Sequence, residues 1–125
     1  MTTFAELGTG KYILLTSFRK NGTGVCTPVW FAPDGEAYVV WTPTDSWKVK
    51  RIRRDSRVTV ARCDGRGKPS GKTFEAVAEI QTGADAERTR QLIAKHYGLL
   101  GRLAIAGSKL RRGNDGTVGI RIVSA

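Results

Sequence analysis

Cysteine and histidine are scarce in this chain, and acidic residues are outnumbered. It holds two cysteines, one histidine, and 11 Asp and Glu against 21 Lys and Arg. Cys26 and Cys63 lie far apart and form no CxxC pair or Cys/His cluster. With His96 alone beside them, a zinc site has no ligand set. Both cysteines fall in strand-like runs, which reads as two buried, reduced thiols in a reducing compartment. No stretch approaches the roughly 18 apolar residues that a membrane helix needs. The start, Met1-Thr2-Thr3-Phe4-Ala5-Glu6-Leu7, lacks the basic region and apolar run of a secretory signal. The expectation is a soluble, cytoplasmic protein with no membrane insertion. G-x-G-x-x-G and Walker A loops are absent, as is any legible Ser/His/Asp or Cys/His set for nucleophilic catalysis.

The 125 residues suit one domain spanning 1–125. A domain of that size buries roughly two thirds of its unfolded surface and can hold a core without staples. The formal charge of +10 points to an anionic partner: nucleic acid, a membrane surface or a charged small molecule.

Along the chain, Thr3 to Leu7 reads as a short helix. Tyr12 to Phe18 is an apolar, β-prone run, and Asn21-Gly22 supplies a hairpin turn. Val25 to Phe31 resumes the strand pattern. Pro28 inside it points to an edge, a bulge or a free face, because proline cannot donate to a ladder. Pro33-Asp34-Gly35 is a turn, and Ala37 to Thr42 a third strand ended by Pro43. Asp45 or Ser46 caps a helix running to about Arg54. Arg57 to Cys63 alternates as a fourth strand. Asp64 to Lys72 is a loop, Thr73 to Gln81 a fifth strand and Asp85 to Tyr97 a helix with Gly98 as its stop. Leu99 to Gly113 has apolar residues interrupted by glycines and no clear pattern. Thr117 to Val123 is the last strand. The sum is a mainly β chain with two or three short helices, its antiparallel hairpins closing into a small barrel.

The strongest local feature is Thr42-Pro43-Thr44-Asp45-Ser46-Trp47-Lys48-Val49-Lys50-Arg51-Ile52-Arg53-Arg54. First-turn N–H groups have no helical partner and the helix dipole favours negative charge, so this start can cradle a phosphate. At about 100° per residue, Val49 and Ile52 share the packed face with Lys48 beside them. Lys48 then reaches toward the helix start. Trp47, Lys50, Arg51 and Arg54 form an outer basic stripe, which suits a ligand with a longer anionic tail. The competing reading of that stripe is a solvated helix face.

His96 sits behind Leu92 at helical spacing and reads as structural. Glu75 and Glu79 share a strand face and read as surface partners of arginines. Without an acid or base of its own, the chain can still be an enzyme if a redox cofactor carries the chemistry. Trp30 and Trp41 are placed to line a flat apolar pocket or to fill the core, and Phe31 to fill the core.

These residues together resemble the split-barrel flavin/deazaflavin oxidoreductases, relatives of pyridoxamine-phosphate oxidase, and most of all their actinobacterial group that uses coenzyme F420. The matching runs are Tyr12 to Gly22, Thr27-Pro28-Val29-Trp30-Phe31, Trp41-Thr42, Ser46 to Arg53, Arg57 to Val60 and Ala76 to Glu79. The resemblance implies a split β-barrel of six or seven antiparallel strands that forms a homodimer with its cofactor between subunits. It implies that Thr27, Pro28, Val29 and Trp30, with Trp41, run beside the cofactor ring. Thr42, Ser46, Trp47 and Lys48 would hold the phosphate end. The helical wheel gives Lys50, Arg51 and Arg54 to the oligoglutamate tail. Members that use flavin mononucleotide often carry a basic residue where Trp47 stands, which weighs toward the deazaflavin. Leu99 to Gly113 matches nothing in the family, and either contacts a partner subunit's cofactor or shapes the substrate mouth.

The expected function is thus an F420-dependent oxidoreductase passing hydride to or from a small electron-poor molecule of quinone or enone type. The alternatives are a flavin mononucleotide (FMN) enzyme and a non-catalytic cofactor or pigment binder. A nucleic-acid-binding barrel fits less well, because the cations gather on one helix and the aromatics sit in apolar runs.

Overall fold

The computed structural model describes Leu7 and residues 12–64, 66–112 and 116–125, apart from the side chains at 70, 71, 101 and 109–112. The helix expected over Thr3 to Leu7 lies outside these residues, except for Leu7 itself. The strands are β1 (Tyr12–Phe18), β2 (Gly24–Val29), β3 (Phe31–Asp34), β4 (Ala37–Pro43), β5 (Arg57–Cys63), β6 (Pro69–Gln81) and β7 (Thr117–Ser124). The helices are α1 (Trp47–Arg54), between β4 and β5, and α2 (Gly83–Arg112), between β6 and β7.

All seven strands form one sheet in the order β2-β1-β5-β6-β7-β4-β3. Every pairing is antiparallel. The two edge strands, β2 and β3, are separated in sequence only by Trp30. A sheet whose opposite edges are joined by one residue must curl, and this produces the split barrel. The run expected as one strand, Val25 to Phe31, is therefore two. Sequence hides the break because Val29 and Phe31 are both buried while Trp30 between them is not, so the alternation runs on unbroken. Pro28 does lie on an edge strand, where its missing N–H costs no ladder bond.

Turn chemistry follows the sequence closely. Gly22 adopts φ 86°, and Asn21 Oδ1 accepts a 3.0 Å bond from Thr23 N, closing the β1–β2 hairpin. The expected loop at Asp64 to Lys72 is shorter. Asp64 Oδ1 accepts bonds of 2.9 Å from the backbone N–H groups of Arg66 and Lys68. The strand then starts at Pro69 rather than Thr73, because a register shift between Val60 and Arg62 lets β5 pair beyond its bulge.

The barrel interior holds Ile13, Leu15, Phe31, Val58, Val60, Ile120 and Ile122, with Ile52 of α1 against them. Full burial of each large side chain contributes roughly 1.5–3 kcal/mol. A second cluster lies outside the sheet, where Ile93 and Ile105 of α2 pack on Ala32 and Val39 beside Trp30, Trp41 and Tyr97. The helix breaks at Gly98 (φ 64°, ψ −138°), as the sequence suggested, but resumes at once. The unclear segment is thus a second helical arm, 99–112. Its leucines 99, 100 and 103 are exposed, so no apolar stripe marked it in advance. Among the described residues, no helix is long and apolar enough to cross a membrane.

The two thiols differ from expectation. Cys63 is buried, but Cys26 is exposed, 3.2 Å from Thr16 Oγ1. As part of an edge strand, β2 turns alternate residues fully outward, and Cys26 is one of these.

The helix α2 seats closely on β7 at Gly119. A Cβ there would collide with Gln81 Oε1 and stand 3.2 Å from Thr89, whose hydroxyl bonds to that same Gln81 oxygen. Gly119→Ala should lower the unfolding free energy by about 1–3 kcal/mol in urea titrations. Gly107→Ala, whose Cβ meets nothing within 4 Å, should cost nothing. Equal effects from both substitutions would show that the helix is not closely seated.

Candidate functional site

At the seam of the split barrel, the end of β2, the strand switch and the end of β4 meet the start of α1. A groove of about 380 Å³ opens there, lined by Thr27, Pro28, Val29, Trp30, Trp41, Thr42 and Lys48, together with Tyr12 and Ala104. Seven of the twelve residues singled out from the sequence thus share one cavity. Tyr12 and Ala104 were missed. Tyr12 begins β1 beside the seam, and Ala104 comes from the helical arm that sequence left unread.

Lys48 is the only cation among those lining residues. Its ammonium donates a 3.2 Å bond to Thr42 Oγ1, a neutral acceptor. No carboxylate pairs with it among the described residues. Burial, and then the charge of Arg51, hold its pKa below the usual lysine value of 10.5. A half-buried ammonium without a counter-ion, beside a helix start, is an anion seat.

The helix start itself is less capped than expected. Ser46 occupies the N-cap position, but its side chain makes no capping bond, and the first turn carries no acid. Ser46 Oγ and Trp41 Nε1 are buried polar atoms without partners. Each would cost on the order of 1–3 kcal/mol left unmet, so both suit a ligand that supplies the missing partners. That donor set fits a phosphate-bearing ring cofactor: an indole N–H beside the ring groove, with a hydroxyl, a cation and free helix N–H groups at its end.

Trp47 does not join this groove. It is 70% exposed on the opposite side of α1, with the Lys50 ammonium 4.4 Å above its ring. There it lines a second cavity of about 590 Å³ with five cations: Arg19, Lys20, Lys50, Arg51 and Arg54. The stripe drawn on the helical wheel is therefore a cavity wall, completed by two cations from the β1–β2 hairpin. Sequence gave no sign of Arg19 and Lys20 here, since only the packing of α1 on β1 brings the hairpin across. Arg51 Nε donates to Ser17 Oγ at 2.7 Å, and Arg54 Nη2 to the Phe18 carbonyl at 2.5 Å. Both guanidiniums are thus fixed in place by neutral acceptors. Burial and the charge of Arg19 push Arg51 below the usual arginine range.

Other candidates fall elsewhere. His96 is exposed and its ring lies 5.8 Å from that of Phe31 and 5.0 Å from that of Tyr97. Glu75 and Glu79 are exposed on β6. Among the described residues, no three His, Cys, Asp or Glu side chains stand together as a metal site. Trp30 does not fill the barrel core and packs instead beside the outer cluster. It lines the groove and stacks on Tyr97, with centroids 4.5 Å apart.

The family model for pyridoxamine 5'-phosphate oxidase matches residues 4–121. The chain belongs to that family. The split-barrel resemblance read from the motifs therefore holds. No curated protein matches the sequence significantly. Solved structures share the fold at low identity. A conserved hypothetical protein of Mycobacterium tuberculosis is 22% identical, with TM-score 0.73 over 99% of this chain and 81% of that one. An F420 reductase is 19% identical, with TM-score 0.67 over 100% and 95%. A heme storage protein of Vibrio cholerae is 18% identical, with TM-score 0.68 over 97% and 87%. The family's fold thus carries more than one function.

The state of Lys48 can be read from stability. A lysine whose folded pKa is depressed binds fewer protons folded than unfolded between the two values, so stability rises with pH across that window. Measured by urea denaturation, the gap between wild type and Lys48→Met should shift in favour of the wild type as pH climbs toward 10.5. Parallel pH profiles would mean that Lys48 is not strained by its surroundings.

Proposed function

We propose that this protein is a homodimeric oxidoreductase that uses the deazaflavin coenzyme F420. It would exchange hydride with a small electron-poor organic molecule of quinone or conjugated enone type. The observation that carries this reading is the division of cations across α1. Lys48 alone serves the ring groove, while five cations line the cavity on the helix's other side. One phosphate needs no such number, and the surplus matches a polycarboxylate tail.

In this reading Thr27, Pro28, Val29, Trp30 and Trp41 flank the ring, and Thr42, Ser46 and Lys48 hold the phosphate. Lys50, Arg51 and Arg54, joined by Arg19 and Lys20, meet the tail with Trp47 at their head. The bound coenzyme supplies the hydride, and the chain binds, orients and shields it from water. The sole histidine, His96, is not among the groove's described lining residues.

Fluorescence titration with oxidised coenzyme F420 and with FMN tests the assignment. Coenzyme F420 should bind, and FMN more weakly. Losing a charged hydrogen bond of roughly 1.5–3 kcal/mol, Lys48→Ala should weaken coenzyme binding about 10- to 100-fold. Lys50→Gln with Arg54→Gln should weaken coenzyme F420 and leave FMN unchanged. A protein indifferent to both ligands has neither function, and one that prefers FMN uses the flavin.

A further inference from the structure

A second chamber of about 510 Å³ adjoins the ring groove. The two share Trp41, Thr42 and Ala104 in their walls. Beyond that junction, the chamber runs under the helical arm 99–112, bounded by Leu103, Gly107 and Ser108. Its volume falls within the range usual for small-molecule sites, roughly 300–1,000 Å³.

The chemistry of this chamber is unlike that of its neighbours. None of its described lining residues carries a charge, whereas the outer cavity holds five cations and the ring groove one. Its polar side-chain groups are the hydroxyls of Thr42, Ser108 and Thr117 and the Trp41 indole N–H. Thr117 is buried and fixed, because Arg90, itself 4% exposed, donates to Thr117 Oγ1 at 2.9 Å and to Glu87 at 3.0 Å. Trp41, whose buried indole N–H lacks a partner, stands in the wall common to both spaces. Thr42, also in that wall, has its hydroxyl taken by Lys48.

We infer that this chamber is the seat of the substrate, and that the substrate is an uncharged, largely apolar molecule of one or two rings. This rests on the coenzyme reading for its role, since a hydride acceptor must sit against the cofactor ring. The chamber's selectivity for a neutral ligand stands on its lining alone. No described lining side chain offers a counter-charge, and desolvating a charge without one costs several kcal/mol. A neutral carbonyl compound loses little on entry and meets the hydroxyl of Ser108 in the wall.

Gly107 supplies the test. A Cβ built there meets nothing within 4 Å, so a larger side chain has room to occupy the chamber. Menadione, an uncharged quinone, serves as probe, followed by calorimetry on the protein with and without coenzyme F420. Gly107→Phe should raise the menadione Kd by about tenfold or more through occupied volume, while coenzyme F420 affinity stays within about twofold. Ser108→Leu, narrowing the same wall, should act in the same direction and guards against a misfolded first variant. Lys48→Ala should do the reverse, weakening coenzyme and sparing menadione binding in its absence. Menadione bound equally by wild type and both narrowed variants overturns the inference, as does no menadione binding by wild type. So does a loss of coenzyme F420 as large as the loss of menadione in Gly107→Phe. If wild type ignores coenzyme F420 and yet loses menadione in both narrowed variants, the coenzyme reading fails. The chamber then stands as a neutral-ligand site.

Discussion

Everything in this molecule hangs on one residue-wide crossing. At Trp30 the chain leaves one edge of the sheet and begins the other, so the sheet must bend round to meet itself. Such a crossing strips ladder partners from the backbone, and a buried N–H without a partner is costly. Tyr97 answers this. Its hydroxyl accepts a 3.0 Å bond from Phe31 N, and its ring stacks on Trp30. Burial raises the Tyr97 phenol above its ordinary range. The bond spans 66 residues and ties the first arm of α2 to the seam. The ring groove lies at that same seam.

A second constraint is electrostatic. With nearly twice as many basic as acidic residues, the chain cannot pair every cation internally. Asp34 fastens elements together. Asp34 takes Arg88 at 2.7 Å and Arg121 at 3.3 Å, joining the β3–β4 hairpin to α2 and β7. The guanidinium of Arg88, bonded to it, holds the Asp34 carboxyl below its usual range. Around α1 the pattern is opposite. Its cations lean on a threonine, a serine and a backbone carbonyl, acceptors that position charge without neutralising it. Burial first, and then repulsion from a neighbouring arginine, hold the pKa values of Lys48 and Arg51 down. An anionic ligand would relieve that repulsion, so the same arrangement that weakens the empty fold strengthens the liganded one.

What could be read from sequence follows from the range of the interactions involved. Turns at Asn21-Gly22 and Gly35, the end of β4 at Pro43 and the packed face of α1 depend on neighbours a few residues away, and all were legible. Seven of the nine residues lining the ring groove were legible because three short motifs carried them. The switch at Trp30 was not, since a strand that changes edges keeps its alternation. Cys26 was misjudged for a related reason: pattern alone places a strand without saying which face is covered. Arg19 and Lys20 reach the outer cavity, and Ala104 the ring groove, only through tertiary packing. The arm 99–112 was hidden by its exposed leucines and its glycines, which depart from the amphipathic pattern of a packed helix.

That arm explains why α2 breaks rather than ends. If the helix ran straight past Tyr97, its second half would continue along the outside of the sheet. The positive φ of Gly98 redirects it, and only glycine holds that conformation without strain. The redirected arm is anchored through Ile105, which is 7% exposed, against the cluster that contains Trp30 and Trp41. Ala104 and Gly107 then face space rather than core, and small residues there leave it open. A helix built to stabilise would carry large apolar side chains at these positions. Leu99 and Leu100 lie on the surface while Ala104 and Gly107 line cavities, which is the arrangement of a cover over a cavity.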